Sequence, residues 1–204
     1  MNLKILNSDD FIFFTTRDFA VLNGLSISAA TEQLKRLATK VLITKLTRGV
    51  WANTNHPYFN PLAAVPYLLN NEQGYVSFLT ALNRHGIVSQ IPQSIQIAST
   101  GRPRKLQSPI ANYEFIQLSP NMFLEGINWA PTNSTISYQI ASPEKALLDT
   151  LYLSTRKGNR FSSLPELDLS NNFSKKKFIS LLNKCVLDKR LRSAIKSRFE
   201  KLVI

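Results

Sequence analysis

The side chains best suited to chemistry lie near the N-terminus. Ser26, Ser28, Ala29, Thr31 and Glu32 are short or polar residues at the start of a helical pattern, and Lys35 and Arg36 follow one turn on. Short polar groups at the leading end of a helix suit hydrogen bonding to base edges in a major groove, and cations one turn later suit phosphates. Glu32 is set to accept from a cytosine amino group but repels phosphate. Upstream, Thr15, Thr16 and Arg17 open an earlier helix whose first amides are placed to donate to a phosphate. Downstream, Lys45 and Arg48 lie at the turn that Gly49 makes, where a wing would lie along the backbone or minor groove.

A second basic feature is the run Thr100-Gly101-Arg102-Pro103-Arg104-Lys105, in which Gly and Pro hold the cations away from a core. A functional reading, as a grip for phosphates or for an acidic protein face, stands about even with an ordinary solvated loop. Catalytic sets are weak. His85 has no Ser or Cys partner by spacing, and Glu114 with Gln117 falls short of the carboxylate–lysine pattern of metal-dependent nucleases. Glu144 and Asp149 are five apart on one helix and do not share a face. No glycine loop of phosphate-binding type is present. The single cysteine, Cys185, and the two histidines leave little for a metal site, so neither a cofactor nor an enzymatic activity is expected.

These residues need elements to position them. With 44% hydrophobic and 19% charged residues the chain reads as globular, and no apolar run reaches the length of a bilayer crossing. Asp9 and Asp10 break any signal-peptide layout, so a cytoplasmic protein without a membrane partner is expected. The net charge of +12 points to a polyanionic partner, with a ribosome-associated role or an acidic protein partner as competing explanations. Met1 to Ala52 carries seven basic and four acidic residues, whereas Ser174 to Ile204 carries ten and two. Most of the excess therefore lies outside the first fifty residues.

Thr15 or Thr16 caps a helix through Leu22 that stops at Asn23-Gly24. Ser26 or Ser28 caps a second, Ala29 to about Thr39, with Ala30, Leu34 and Leu37 as its apolar stripe. Strands at Leu42–Leu46 and Val50–Ala52 join across Thr47-Arg48-Gly49, and Trp51 reads as core. This order is that of a winged helix-turn-helix over residues 1–55. The polar stretch Asn53–Asn60 reads as a linker to an α+β domain over 56–204, with a small sheet and peripheral helices. Helices are expected from Pro61 to Leu69 and from Ser77 to His85, strands at Ile95–Ile97, Tyr113–Leu118 and Thr135–Ile140, and a helix starting at Ser142-Pro143-Glu144. Two helices, Ser174–Leu187 and Arg190–Leu202, close the chain. Their lysines lie opposite apolar stripes, which packing explains better than membrane binding.

Several segments resemble the AbiEi-type antitoxins of type IV toxin–antitoxin (abortive infection, phage defence) systems. Thr15-Thr16-Arg17-Asp18-Phe19, Gly24-Leu25-Ser26, Leu34-Lys35-Arg36-Leu37 and Arg48-Gly49-Val50-Trp51-Ala52 are similar to the family's N-terminal winged helix. Tyr75 to Leu82 with His85-Gly86, and Ala141-Ser142-Pro143-Glu144-Lys145-Ala146-Leu147-Leu148-Asp149, are similar to its C-terminal domain. The last segment is the most specific, and the likeness runs from about Phe14 to Leu153. The resemblance implies a transcriptional repressor that binds inverted repeats in double-stranded promoter DNA. It also implies a second activity opposing a nucleotidyltransferase-like toxin without a stable complex. It assigns DNA contact to Ser26–Arg36 with Lys45 and Arg48. For the second surface it points to Ser142, Glu144, Lys145 and Asp149, with Arg102, Arg104 and Lys105 beside them. The recognition helix departs from the family in being less basic and in carrying Glu32. A plain regulator with a sensing second domain and a nuclease built on Glu114 remain rival readings.

Overall fold

Successive residues of a strand face opposite ways, and near the N-terminus both faces are apolar. In the computed structural model, which describes residues 8–130, 136–156, 160–169 and 173–202, this sets two cores back to back. β1 (Phe13–Thr15), β2 (Thr44–Thr47) and β3 (Val50–Ala52) form an antiparallel sheet in the order β1-β3-β2. Phe14 and Trp51, paired across β1 and β3, face α1 (Thr16–Asn23) and α2 (Ile27–Thr39) and pack with Phe19, Ala30, Leu34 and Leu37. Phe13, Leu46, Val50 and Ala52 belong instead to the core of the remaining chain.

The local signals behave as their chemistry demands. Thr15 and Asp18 form a reciprocal capping box at the start of α1. Gly24 ends α1 at φ +62° and Gly49 turns the β2–β3 hairpin at φ +78°, conformations that cost a side chain dearly. Ser26 Oγ accepts from the Ala29 amide to cap α2. The far end of α2 is less conventional. The Val41 amide donates to Ala38 O and the Leu42 amide to Leu37 O, which is the double closure that places residue 41 in the left-handed region. There φ is +57°, on a β-branched residue that is 76% exposed. Val41→Gly therefore removes strain of about 1 kcal/mol without losing burial, and should raise the midpoint of thermal unfolding by about 2–4 °C. An unchanged or lower midpoint would contradict this reading of the turn.

The region after residue 52 is α+β, built on a mixed six-stranded sheet. In chain order its strands are β4 (Gly74–Val76), β5 (Ile95–Ser99), β6 (Arg104–Gln107), β7 (Asn112–Gln117), β8 (Ile127–Trp129) and β9 (Gln139–Ala141), arranged β6-β7-β5-β4-β9-β8. The β4–β9 and β5–β7 pairs are parallel and the others antiparallel. The sheet is larger than the three strands expected, and β9 starts at Gln139, later than the expected strand, whose Thr135 lies outside the described residues. The expected Pro61–Leu69 helix is a 3-10 turn, Pro61–Ala64, running into α3 (Val65–Leu68). α4 (Phe78–Arg84) and α5 (Pro143–Ser154) follow β4 and β9. α5 is not peripheral: every residue from Glu144 to Ser154 is buried. α6 (Lys175–Cys185) and α7 (Lys189–Leu202) pack through Phe178, Leu181, Leu182, Ile195 and Phe199, with the Phe178 and Phe199 rings stacked 4.0 Å apart. No helix among the described residues is long and apolar enough to cross a membrane.

Asn53–Asn60 is not an exposed linker. Asn53 and His56 are buried, the Asn53 amide donates to Ile12 O, and Phe59 lies 5.5 Å from Phe13 ring to ring. His56 Nε2 also sits 3.4 Å from Asp9 Oδ1. The segment straps the first sheet onto the second region, and the apolar core runs across the expected boundary at 55/56.

Candidate functional site

Two places have the character of a site: the free side of α2 with the β2–β3 hairpin, and the polar cluster inside the second region. On α2, burial of Ala30, Leu34 and Leu37 turns Ser28, Ala29, Glu32, Lys35 and Arg36 to solvent. Lys45 and Arg48 are exposed on the hairpin. Lys35 Nζ holds Glu32 Oε1 at 2.8 Å, and this pairing keeps the Glu32 carboxyl below its ordinary range. Thr31 is half-buried and its hydroxyl donates back to Ile27 O, while Ser26 is engaged as the helix cap. Lys45 lies over the Trp51 ring, 5.9 Å from its centroid, and Trp51 is core as expected, 2% exposed.

The start of α1 is a poorer phosphate site than its sequence suggests. Thr16 is buried, and its hydroxyl accepts from Trp51 Nε1 at 2.9 Å. The Thr16 amide donates to Gly49 O and the Asp18 amide to Thr15 Oγ1. Asp18 adds a negative charge at the helix N-terminus, where a phosphate would have to approach. Of Thr15, Thr16 and Arg17, the exposed Arg17 side chain keeps a surface role.

The second cluster joins the two segments that carry the family resemblance in the C-terminal region. Lys145 and Asp149 are one turn apart on α5, both fully buried and ion-paired to each other. Tyr75 on β4 donates to Asp149 Oδ2 at 2.9 Å and accepts from Lys145 Nζ at 2.6 Å. Ser77, at the β4–α4 junction, donates to the same Asp149 oxygen at 2.7 Å. Ser77 therefore gives α4 no side-chain cap. Beside this network His85 donates through Nε2 to Ala141 O at 2.8 Å, tying the end of α4 to β9. Burial pushes the Asp149 carboxyl upward against the pull of Lys145 and the two hydroxyls, and it pushes the Tyr75 hydroxyl well up. Ser142 caps α5, accepting from the Lys145 amide and donating to Glu144 Oε2. Glu144 is itself buried, and its other oxygen accepts from the Ser174 amide at the start of α6.

This arrangement corrects the expectation of a surface at Ser142, Glu144, Lys145 and Asp149. Lys145 and Asp149 have no exposed area, Glu144 is 4% exposed, and Ser142 is half-buried. A side chain enclosed in this way cannot meet a partner unless the core opens. The most specific resemblance segment locks α5 to β4 and α6. Tyr75 and Ser77 were missed as its partners, although the Lys145–Asp149 spacing of four within an otherwise apolar helix was a signal.

The loop Thr100–Lys105 is also less free than its sequence implies. Arg104 Nη1 meets Glu72 at 2.7 Å, Nη2 donates to Leu68 O, and the guanidinium lies 3.8 Å over the Phe115 ring. Lys105 sits opposite Glu114 across β6–β7, and Glu114 binds Arg160 at 2.6 Å as well as Lys105 at 3.4 Å. Glu114 is thus an anchor for two cations, and among the described residues no group of three or more His, Cys, Asp or Glu side chains is placed to hold a metal. Gly101 gives the Glu72–Arg104 pair its room: a Cβ there would come within 2.0 Å of the Glu72 carboxylate. Gly101→Ala should loosen that pair and cost about 1–3 kcal/mol in denaturant unfolding. A cost below about 0.5 kcal/mol would show the contact to be dispensable.

Arg102 and Lys105 remain exposed at this end of the second region. The chain matches no protein-family model, and comparison with curated proteins returns no match.

Proposed function

We propose that residues 8–55 act as a winged helix-turn-helix, with α2 as the recognition helix and the β2–β3 hairpin as the wing. On this reading the protein is an antitoxin of the AbiEi kind that represses its own promoter and opposes a nucleotidyltransferase-like toxin. The observation that carries the DNA half is the free side of α2, where Ser28, Ala29, Glu32, Lys35 and Arg36 are exposed together beside the cationic hairpin. Ser28, Ala29 and Glu32 would meet base edges, and Arg36, Lys45 and Arg48 would meet phosphates. Lys35 would exchange Glu32 for a phosphate on binding.

That exchange has a measurable consequence. Glu32→Gln releases Lys35 and removes a negative charge from the interface, so affinity for random-sequence duplex should rise severalfold. A fall in that affinity would remove Glu32 from the contact face.

The antitoxin half rests on the resemblance of Tyr75–Gly86 and Ala141–Asp149, with Arg102 and Lys105 as the exposed residues of the second basic group. Two cell assays test the reading with the full chain. A reporter behind the protein's own promoter should be silenced by the intact chain. Cells expressing the nucleotidyltransferase-like product of an adjacent gene should recover growth. A silenced reporter without rescue would leave a plain regulator, and rescue without silencing would remove the DNA-binding half.

A further inference from the structure

Strand directions in the six-stranded sheet bring a set of unassigned polar side chains to one end of it. β4 and β9 begin there, and β5, β7 and β8 end there. From one edge to the other, that end carries Trp129, Gln139, Gln73, Thr100, Gln117 and finally Arg102 on the loop entering β6. At about 4.8 Å per strand the row spans about 24 Å.

Two hollows lie along it. One of 370 Å³ is lined by Gln73, Phe123, Ile127 and Gln139, and the other, of 550 Å³, by Asn70, Thr100, Arg102 and Gln117. Glu72 lines both, so the two hollows meet at its side chain, and the row with its two hollows is called the trench below. Its carboxylate is matched by Arg104, so it does not repel an anion as a bare acid would. Trp129 lies at the rim and lines neither hollow itself: it stands opposite the lining residue Gln139 in register, on the same side of β8 as the lining residue Ile127, and is 64% exposed. It is the largest of the exposed apolar side chains among the described residues.

We propose that this trench binds single-stranded nucleic acid, with a base stacked on Trp129, amides of Gln139, Gln73 and Gln117 on base edges, and Arg102 on a phosphate. Stacking platforms combined with cationic grips are how such strands are held without strict sequence choice. The chain's +12 charge favours this occupant over an acidic-peptide groove, which would have no use for an open indole. The proposal is independent of the α2 reading, because the trench and α2 share no residue.

The test uses the full chain with labelled eight-nucleotide oligothymidylate and oligouridylate. Trp129 is exposed and Trp51 is buried, so binding should quench the exposed tryptophan's fluorescence, and Trp129→Phe should retain binding. Trp129→Ala should weaken binding about 5- to 100-fold. Arg102→Ala should reduce the salt slope by about 0.7. Thermal unfolding of each variant separates lost contact from lost fold. A preference for the DNA or the RNA strand identifies the source. Absence of binding by both strands overturns the proposal. So does binding that survives Trp129→Ala and Arg102→Ala in folded protein, or equal competition by polyglutamate.

Discussion

Asp149→Ala is expected to be the most damaging single substitution in the second region, costing about 3–5 kcal/mol of unfolding free energy. The change leaves the Lys145 ammonium fully buried without its counter-charge, and it removes the acceptor for Ser77 and the nearer of two acceptors for Tyr75, whose hydroxyl also reaches Met122 O at 3.3 Å. Unpaired charge and unsatisfied hydroxyls each cost free energy in a site that water cannot reach. A domain of ordinary stability has only about 5–15 kcal/mol in hand, so the variant should melt far earlier or fail to fold. The companion experiment is the double variant Lys145→Met with Asp149→Leu. An apolar pair of similar volume removes the unpaired ammonium and leaves only the hydroxyls that Asp149 held to find other partners, so it should recover part of the loss. Recovery identifies the pair as a structural lock. If Asp149→Ala costs less than about 1 kcal/mol, or the double variant is as unstable as the single, the lock is refuted. A further readout separates lock from contact surface: the folded double variant should keep operator binding and growth rescue. Loss of rescue in a folded double variant would return Lys145 and Asp149 to a direct role.

The second large effect falls on DNA. Replacing Lys35 and Arg36 together with Ala should weaken operator binding roughly tenfold to 100-fold, with fold stability little changed because both side chains are exposed. Two lost phosphate contacts should also lower the slope of log affinity against log salt by about 1.8. Sequence preference should survive, because Ser28, Ala29 and Glu32, the residues proposed to meet the bases, are untouched. An unchanged slope would move the DNA surface away from α2.

The sequence made the first of these regions far easier to read than the second. α2 announces itself through Ala30, Leu34 and Leu37 at helical spacing, and α5 through Ser142 and Pro143 at its start, because these signals are local. β4, β8 and β9 are three residues each, too short for alternation to rise above noise. β6 was hidden for another reason. Arg104 and Lys105 read as a solvated loop, and what makes them a strand is backbone pairing with β7, with Glu72 and Glu114 as partners that the chain supplies only on folding. The same logic obscured the lock. Charged residues usually mark a surface, so Lys145 and Asp149 pointed outward until Tyr75 and Ser77, some seventy residues earlier, supplied their partners. The linker reading of Asn53–Asn60 failed because polar composition says nothing of the backbone bond from Asn53 to Ile12. It follows that a fragment beginning near Pro61 would expose the apolar face that Phe13, Val50 and Ala52 cover, and that activity assays belong on the full chain.

The proposal that α2 reads a specific duplex stands or falls on sequence preference. The most direct measurement is an equilibrium titration of the full chain against its own upstream DNA and against a scrambled duplex of equal length, at physiological salt. A preference of about a thousandfold or more for the upstream sequence is expected. Equal affinity for the two duplexes would contradict it.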